Sequence, residues 1–186
     1  MILVIDFGST KVPHIVGMLK SLDQEVTVQQ WNQIDASAIA EASAFVLSGS
    51  PIFLTEVEHE AYLTHCSFLK NVDVPVLGIC YGHQILGILH GAEIYRGPAI
   101  RKPETIRILQ NDPLLKGFGK ETIMTEDHTE GINLPEAFIH LATSDFYLNE
   151  GMKHETRKIW GIQFHPEVSG ENGLQVFRNF CEFITG

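Results

Sequence analysis

The chain has 186 residues, enough to enclose a core without metals or disulfides. With 44% hydrophobic and 19% charged residues it has the composition of an ordinary soluble globular domain, and its formal net charge of −10, with no basic stripe, argues against nucleic acid as a partner. No apolar run approaches the ~20 residues of a membrane-spanning helix, so no membrane association is expected. The opening Met1-Ile2-Leu3-Val4-Ile5-Asp6 lacks a basic leader and meets a charge at once, so it reads as a first strand rather than a signal peptide. Three widely spaced cysteines, Cys66, Cys80 and Cys181, suit a reducing compartment better than a disulfide framework. The expected location is the cytoplasm.

Strand-like runs then alternate with helix-like stretches: Ile2–Asp6 followed by Ile15–Leu22, Val26–Gln30, Ala44–Leu47 followed by Val57–Leu69, and Val74–Ile79 followed by Gln84–His90. That alternation predicts an α/β fold with a mostly parallel sheet and helices on its faces. The second half is richer in strands, at Thr105–Leu109, Glu121–Met124, Ile139–Thr143 and Lys158–Phe164, and closes with a helix from about Leu174 to Ile184. In that helix Leu174, Phe177, Cys181 and Ile184 share a stripe at helical spacing, so Cys181 reads as a core residue. Cys66, set among Tyr62, Leu63 and Leu69, reads the same way. No repeat or linker divides the chain, and residues 1–186 are expected to form one domain.

Two short segments carry chemistry. In Val76-Leu77-Gly78-Ile79-Cys80-Tyr81-Gly82 an apolar strand runs into a turn whose glycines flank the cysteine, which suits a sharp strand-to-helix elbow. A helix starting after Tyr81 would aim its N–H groups and positive dipole end at the sulfur and stabilise a thiolate. In Gly161-Ile162-Gln163-Phe164-His165-Pro166-Glu167, Pro166 disfavours helical geometry at His165, so the segment is expected to stay extended with His165 and Glu167 on one side. A Cys nucleophile, a His base and a carboxylate that orients the imidazole make a general arrangement for covalent acyl transfer. Taken singly, Cys80 could be a buried core cysteine, His165 a structural histidine and Glu167 a surface charge; their spacing after strands favours the functional reading.

Acyl transfer also needs donors where the oxyanion forms. Two are available: the N–H of Tyr81, next to the nucleophile, and an N–H of Gly49 or Ser50 in the turn Leu47-Ser48-Gly49-Ser50-Pro51. Both turns should lie at the carboxyl ends of strands, where ligands gather in sheets of this kind. Ser50 can serve only if its backbone needs no positive φ. The nine histidines are scattered and show no metal-ligand spacing, so no metal and no cofactor are expected.

On these residues the chain resembles the class I (triad-type) glutamine amidotransferases, with its strongest similarity to the amidotransferase component of GMP synthases. The segments that match are Ile2–Ser9, Leu47–Pro51, Pro75–Gln84, Leu134–Ser144, Gly161–Val168 and Asn179-Phe180. The resemblance implies a flavodoxin-like sheet in which Cys80 attacks the side-chain amide of L-glutamine, His165 protonates the departing ammonia and then activates water, and Glu167 orients His165. It further implies that Gln84 helps hold the glutamine, and that His128, in the stretch Asp127-His128-Thr129-Glu130 where the family has Ser-His-x-Asp, borders the same site. Where the GMP synthase pattern has two glycines, this chain has Gly49-Ser50. The basic stretch Gly97–Lys102 stands where that pattern tends to be acidic.

The chain contains neither a Walker phosphate loop nor a Ser-Gly-Gly-x-Asp-Ser loop, so the implied ammonia acceptor is a separate ATP-dependent synthetase. Two other readings stay open at this stage: a stand-alone hydrolase of another γ-glutamyl or small amide substrate, and a non-catalytic partner-binding or redox module on the same fold.

Overall fold

The structure is a computed structural model that describes residues 1–184; the last two residues of the expected 1–186 domain lie outside that range. In chain order the elements are β1 (Ile2–Asp6), α1 (Val12–Ser21), β2 (Val26–Gln30), α2 (Ala36–Glu41), β3 (Ala44–Leu47), α3 (Glu60–Cys66), β4 (Val76–Ile79) and α4 (Tyr81–Leu89). They continue with β5 (Ile94–Ile100), β6 (Pro103–Ile108), β7 (Glu121–Thr125), β8 (His128–Ile132), β9 (Phe138–Thr143), β10 (Gly151–His154), β11 (Ile159–Ile162) and α5 (Gly170–Glu182). A nine-stranded mixed sheet has the order β2-β1-β3-β4-β11-β10-β9-β6-β7, and β5 pairs with β8 in a separate antiparallel ribbon.

The continuous apolar strands lie where the sheet is covered on both faces. β3, β4 and β11 are buried at every residue and pair in parallel, Leu47 opposite Gly78 and Ile162 opposite Ile79. Parallel strands flanked by helices have no solvent face, so alternation disappears and runs such as Val76-Leu77-Gly78-Ile79 result. From β10 to β7 the pairing is antiparallel, and β7 shows the alternation of a sheet with one open face.

One core layer packs Ile15 and Leu19 of α1 and Phe177 and Phe180 of α5 against β1, β3, β4 and β11. The other packs Cys66 of α3 and Tyr81, Ile85 and Leu86 of α4 against the opposite face. Phe177 and Phe180 are wholly buried, and burying each contributes about 1.5–3 kcal/mol relative to exposure. Cys181 is buried with them, as its stripe predicted; Leu174 and Ile184 are only half-buried, and Val176 takes the inward position instead.

Three differences from the sequence expectation bear on the site. α4 begins at Tyr81, within a residue of the start expected after Tyr81 and ahead of the helix-like run Gln84–His90, so the nucleophile candidate stands directly at a helix start. β5, β8 and β10, together with α2, were not anticipated; β8 carries His128. Finally, residues Pro166–Val168 form a 3₁₀ turn instead of continuing extended. Among the described residues no helix is long and apolar enough to cross a membrane.

Candidate active site

Cys80 leaves β4 with φ 52° and ψ −103°, a left-handed conformation that an L residue keeps only where its surroundings hold it. Three backbone bonds do so: Cys80 N–H donates to Ile162 O at 2.8 Å, Gln84 N–H to Cys80 O at 3.0 Å and Gly82 N–H to Ser48 O at 3.1 Å. Both flanking glycines are required by close approach. A Cβ on Gly78 would lie 2.5 Å from Gly82 O, and one on Gly82 would lie 2.5 Å from Leu47 Cβ. The elbow therefore presses the start of α4 onto the end of β3, and Cys80, 5% exposed, sits where the two meet. The other two thiols serve packing: burial pushes Cys66 up to about 12 and Cys181 up to about 11.

His165 follows β11. Its N–H donates to Thr125 O at 2.9 Å, and its carbonyl accepts from Ser169 Oγ at 2.7 Å. His165 itself is non-helical, with φ −104° and ψ 89°, as a residue before proline should be. Pro166 then opens the 3₁₀ turn, because proline fits the first position of a helical turn, where its missing N–H has no partner to lose. The expectation of an extended Pro166-Glu167 is corrected on that ground. The turn folds Glu167 back so that its Oε1 accepts from His165 Nδ1 at 2.7 Å.

Burial alone would lower the His165 pKa, but the neighbouring Cys80 and Glu167 outweigh it and raise the imidazole to about 10. The arrangement thus favours an imidazolium between a sulfur and a carboxylate, the state needed to give a proton to a leaving group.

The turn after β3 closes over this pair. A Cβ on Gly49 would lie 3.1 Å from His165 Cε1 and 3.8 Å from Cys80 Cβ, so a side chain at this position would lie against both residues. Ser50 is not among the described residues with positive φ, which outside glycine are Asp23 and Cys80, so it meets the condition set for it. A small pocket brings together Cys80, Tyr81, Ser50, Gln84, His128 and Glu130. Gln84 donates its Nε2–H to Glu130 O and to Gln163 Oε1, both at 3.1 Å. A second hollow, lined by Ser9, Ser50, Asp127, His128 and His165, reaches the same place from outside. At its rim Asp127 accepts from Lys11 Nζ at 2.6 Å and faces Arg101 Nε at 3.5 Å. Part of the basic stretch Gly97–Lys102 is therefore spent on this carboxylate.

Sequence reasoning missed Glu130. Its carboxylate accepts from Leu54 N–H at 2.8 Å, from Thr55 N–H at 2.9 Å and from Thr55 Oγ1, tying the segment after Pro51 to β8. Its carbonyl accepts from both Gln84 and His128. The only signal was its place in the Asp127–Glu130 stretch, two residues beyond His128.

Comparison with known proteins shows the family and the fold. Residues 3–183 match the family described as glutamine amidotransferase class-I. A glutamine-hydrolyzing GMP synthase subunit of Methanosarcina mazei is 36% identical over 145 residues, 76% of this chain and 74% of that protein. The corresponding protein of Pyrococcus furiosus is 33% identical over 186 residues, 98% of this chain and 97% of that protein. The crystal structure of a putative GMP synthase subunit from Thermoplasma acidophilum superposes with a TM-score of 0.91 at 27% identity, covering 99% of this chain and 93% of that one. With the elbow, the His165 turn and the flavodoxin-like sheet in place, the chain belongs to the class I glutamine amidotransferases and is an enzyme of that family related to GMP synthase.

Proposed function

We propose that this chain is the cytoplasmic glutaminase component of a GMP synthase-like amidotransferase, hydrolysing L-glutamine and passing ammonia to a separate ATP-dependent synthetase. The observation that carries the reading is the placement of His165 between Cys80 and Glu167, at the carboxyl ends of β4 and β11. In the proposed cycle the proton shared by Cys80 and His165 rests on the imidazole, and the sulfur forms a bond to the amide carbon of the substrate. The N–H of Tyr81 and an N–H of Gly49 or Ser50 stabilise the developing oxyanion. His165 returns the proton to the departing nitrogen, the C–N bond breaks, and ammonia leaves a thioester on Cys80. His165 then takes a proton from water as it attacks the thioester, the C–S bond breaks, and glutamate departs.

Glu167 holds the ring with Nδ1–H toward itself, so that Nε2 is the nitrogen that exchanges protons. Gln84 and His128 serve as walls of the glutamine pocket. The test is the intact mass of the chain after exposure to a diazo-ketone analogue of glutamine. One adduct on Cys80, blocked by excess glutamine, is expected. No adduct, with Cys80 still open to a small alkylating agent, overturns the reading.

A further inference from the structure

Behind the pocket wall, Glu126, His128 and Glu150 form a cluster whose donor atoms lie within 4.8 Å of one another. The three residues are 2%, 7% and 1% exposed. The orientation of the imidazole sets the proton count. His128 Nδ1 lies 2.9 Å from Glu130 O, which can only accept, so the ring proton is on Nδ1. Burial holds the His128 pKa below its ordinary value, so the ring is neutral and Nε2 presents a lone pair.

That lone pair stands 2.8 Å from Glu126 Oε2. With Glu126 ionised, His128 Nε2 and both Glu126 oxygens are buried with no hydrogen-bond partner, and two acceptors face each other in contact. A single proton on the carboxyl removes the conflict. Glu150 competes for it, because its Oε2 is also buried without a partner, but its Oε1 accepts from Ser144 Oγ at 2.6 Å, and a proton there would leave His128 Nε2 facing a bare Glu126 oxygen.

We propose that Glu126 is a protonated carboxyl at neutral pH, donating its O–H to His128 Nε2 and acting as a positioning residue that sets the ring, and with it the Asp127–Glu130 wall, against the glutamine pocket. The role assigned to the pocket rests on the function proposed above; the protonation state does not. The ring is gripped on each side: by Glu126 at Nε2, by Glu130 O at Nδ1, and by Tyr147, whose ring centroid is 4.4 Å away and whose hydroxyl donates to Pro98 O. Since Glu130 O also takes the Gln84 bond, a shift of the ring is felt at Gln84.

The charged and titratable groups facing Glu126 are His128 on β8, Glu150 before β10, Glu104 on β6 and His165 after β11. Burial, with Glu104 adding to it, raises Glu126 to about 8 against the opposing influence of Glu150 and His165; burial and Glu126 raise Glu150 to about 8. The device is therefore intact at neutral pH and fails as pH climbs through about 8.

The experiment compares wild type with Glu126→Gln, which keeps a donor but cannot titrate, and Glu126→Leu, which has no donor. The infrared spectrum of wild type at neutral pH should contain a protonated-carboxyl C=O band that disappears in Glu126→Gln and persists in Glu150→Gln. In glutamine hydrolysis Glu126→Gln should keep the wild-type KM and lose its rise above a pH of about 8. Glu126→Leu should raise KM about tenfold, the effect of one lost buried hydrogen bond, with a smaller change in kcat. A missing band, a band unmoved by Glu126→Gln, equal KM defects in the two variants, or a stoichiometric metal ion in the purified protein that Glu126→Gln removes would each overturn the proposal. Should wild type fail to hydrolyse glutamine, the proposed function fails while the infrared result still decides the protonation of Glu126. Should Glu126→Leu not fold, the infrared band and the pH profile of Glu126→Gln decide it.

Discussion

His165 Nδ1 stands 2.7 Å from Glu167 Oε1, with side chains 3% and 0% exposed, and a three-residue 3₁₀ turn makes the contact. A charge-assisted bond sealed from water fixes both the ring plane and the tautomer. The turn is locked from behind: Gly173 on α5 is packed so closely on Pro166 that a Cβ there would fall 1.7 Å from Pro166 O.

The roles proposed for the three residues predict an order of damage. In a comparable hydrolase unit, losing the nucleophile or base costs about 10⁶ in kcat, and losing the orienting acid roughly 10⁴. Glutaminase rates of Cys80→Ala and His165→Ala should fall together to background, while Glu167→Gln retains measurable turnover. Wild-type activity in Cys80→Ala would remove the assignment.

The His165 imidazole provides a pH test. Its pKa is raised to about 10 in the folded chain, above the ordinary 6.5, with Cys80 the strongest raising influence. The sign follows from linkage: the stabilisation is complete below about 6.5 and is lost as pH rises through about 10. Cys80→Ala should lower the His165 midpoint in an NMR titration and flatten the loss of stability over that window. An unchanged midpoint would mean that the sulfur does not hold the imidazolium.

Gly82 and Gly49 should separate stability from catalysis. Gly82→Ala places a Cβ 2.5 Å from Leu47 Cβ and 2.6 Å from Leu47 O. Overpacking of this kind costs about 1–3 kcal/mol, read from the denaturant midpoint. Gly49→Ala meets its first atom at 3.1 Å, the Cε1 of His165, so its principal effect should be on kcat, with a smaller loss of stability.

Glu130 should matter to both folding and substrate binding. Glu130→Ala strands the buried N–H of Leu54, and an unsatisfied buried donor costs about 1–3 kcal/mol; the N–H of exposed Thr55 can turn to water instead. Because Ile52 and Phe53 line the pocket beside it, the glutamine KM should rise as well. Unchanged unfolding and unchanged KM would show that this tether is dispensable.

The parallel half of the molecule and its reactive groups were legible in the chain because their signals are local. Strands Ile2–Asp6, Val26–Gln30 and Ala44–Leu47 have the bounds their apolar runs suggest. The glycines around Cys80 mark an elbow because only a residue without Cβ permits backbone contacts at 2.5 Å. What lay beyond local reading was pairing across long separations. β10 is a short run, Gly151–His154, whose strand character comes from the neighbours on its two sides, and β5 and β8 pair only with each other. The turn at Pro166 escaped for a related reason: proline permits both an extended chain and the first turn of a helix, and the bonds to Thr125 O and from Ser169 chose between them. The setting of Glu126, Glu130 and Glu150 belongs to the same class. A glutamate in isolation reads as a solvated charge, and only the packing of β8 against the segment after Pro51, with Glu150 brought in from before β10, removes the water that would otherwise satisfy it.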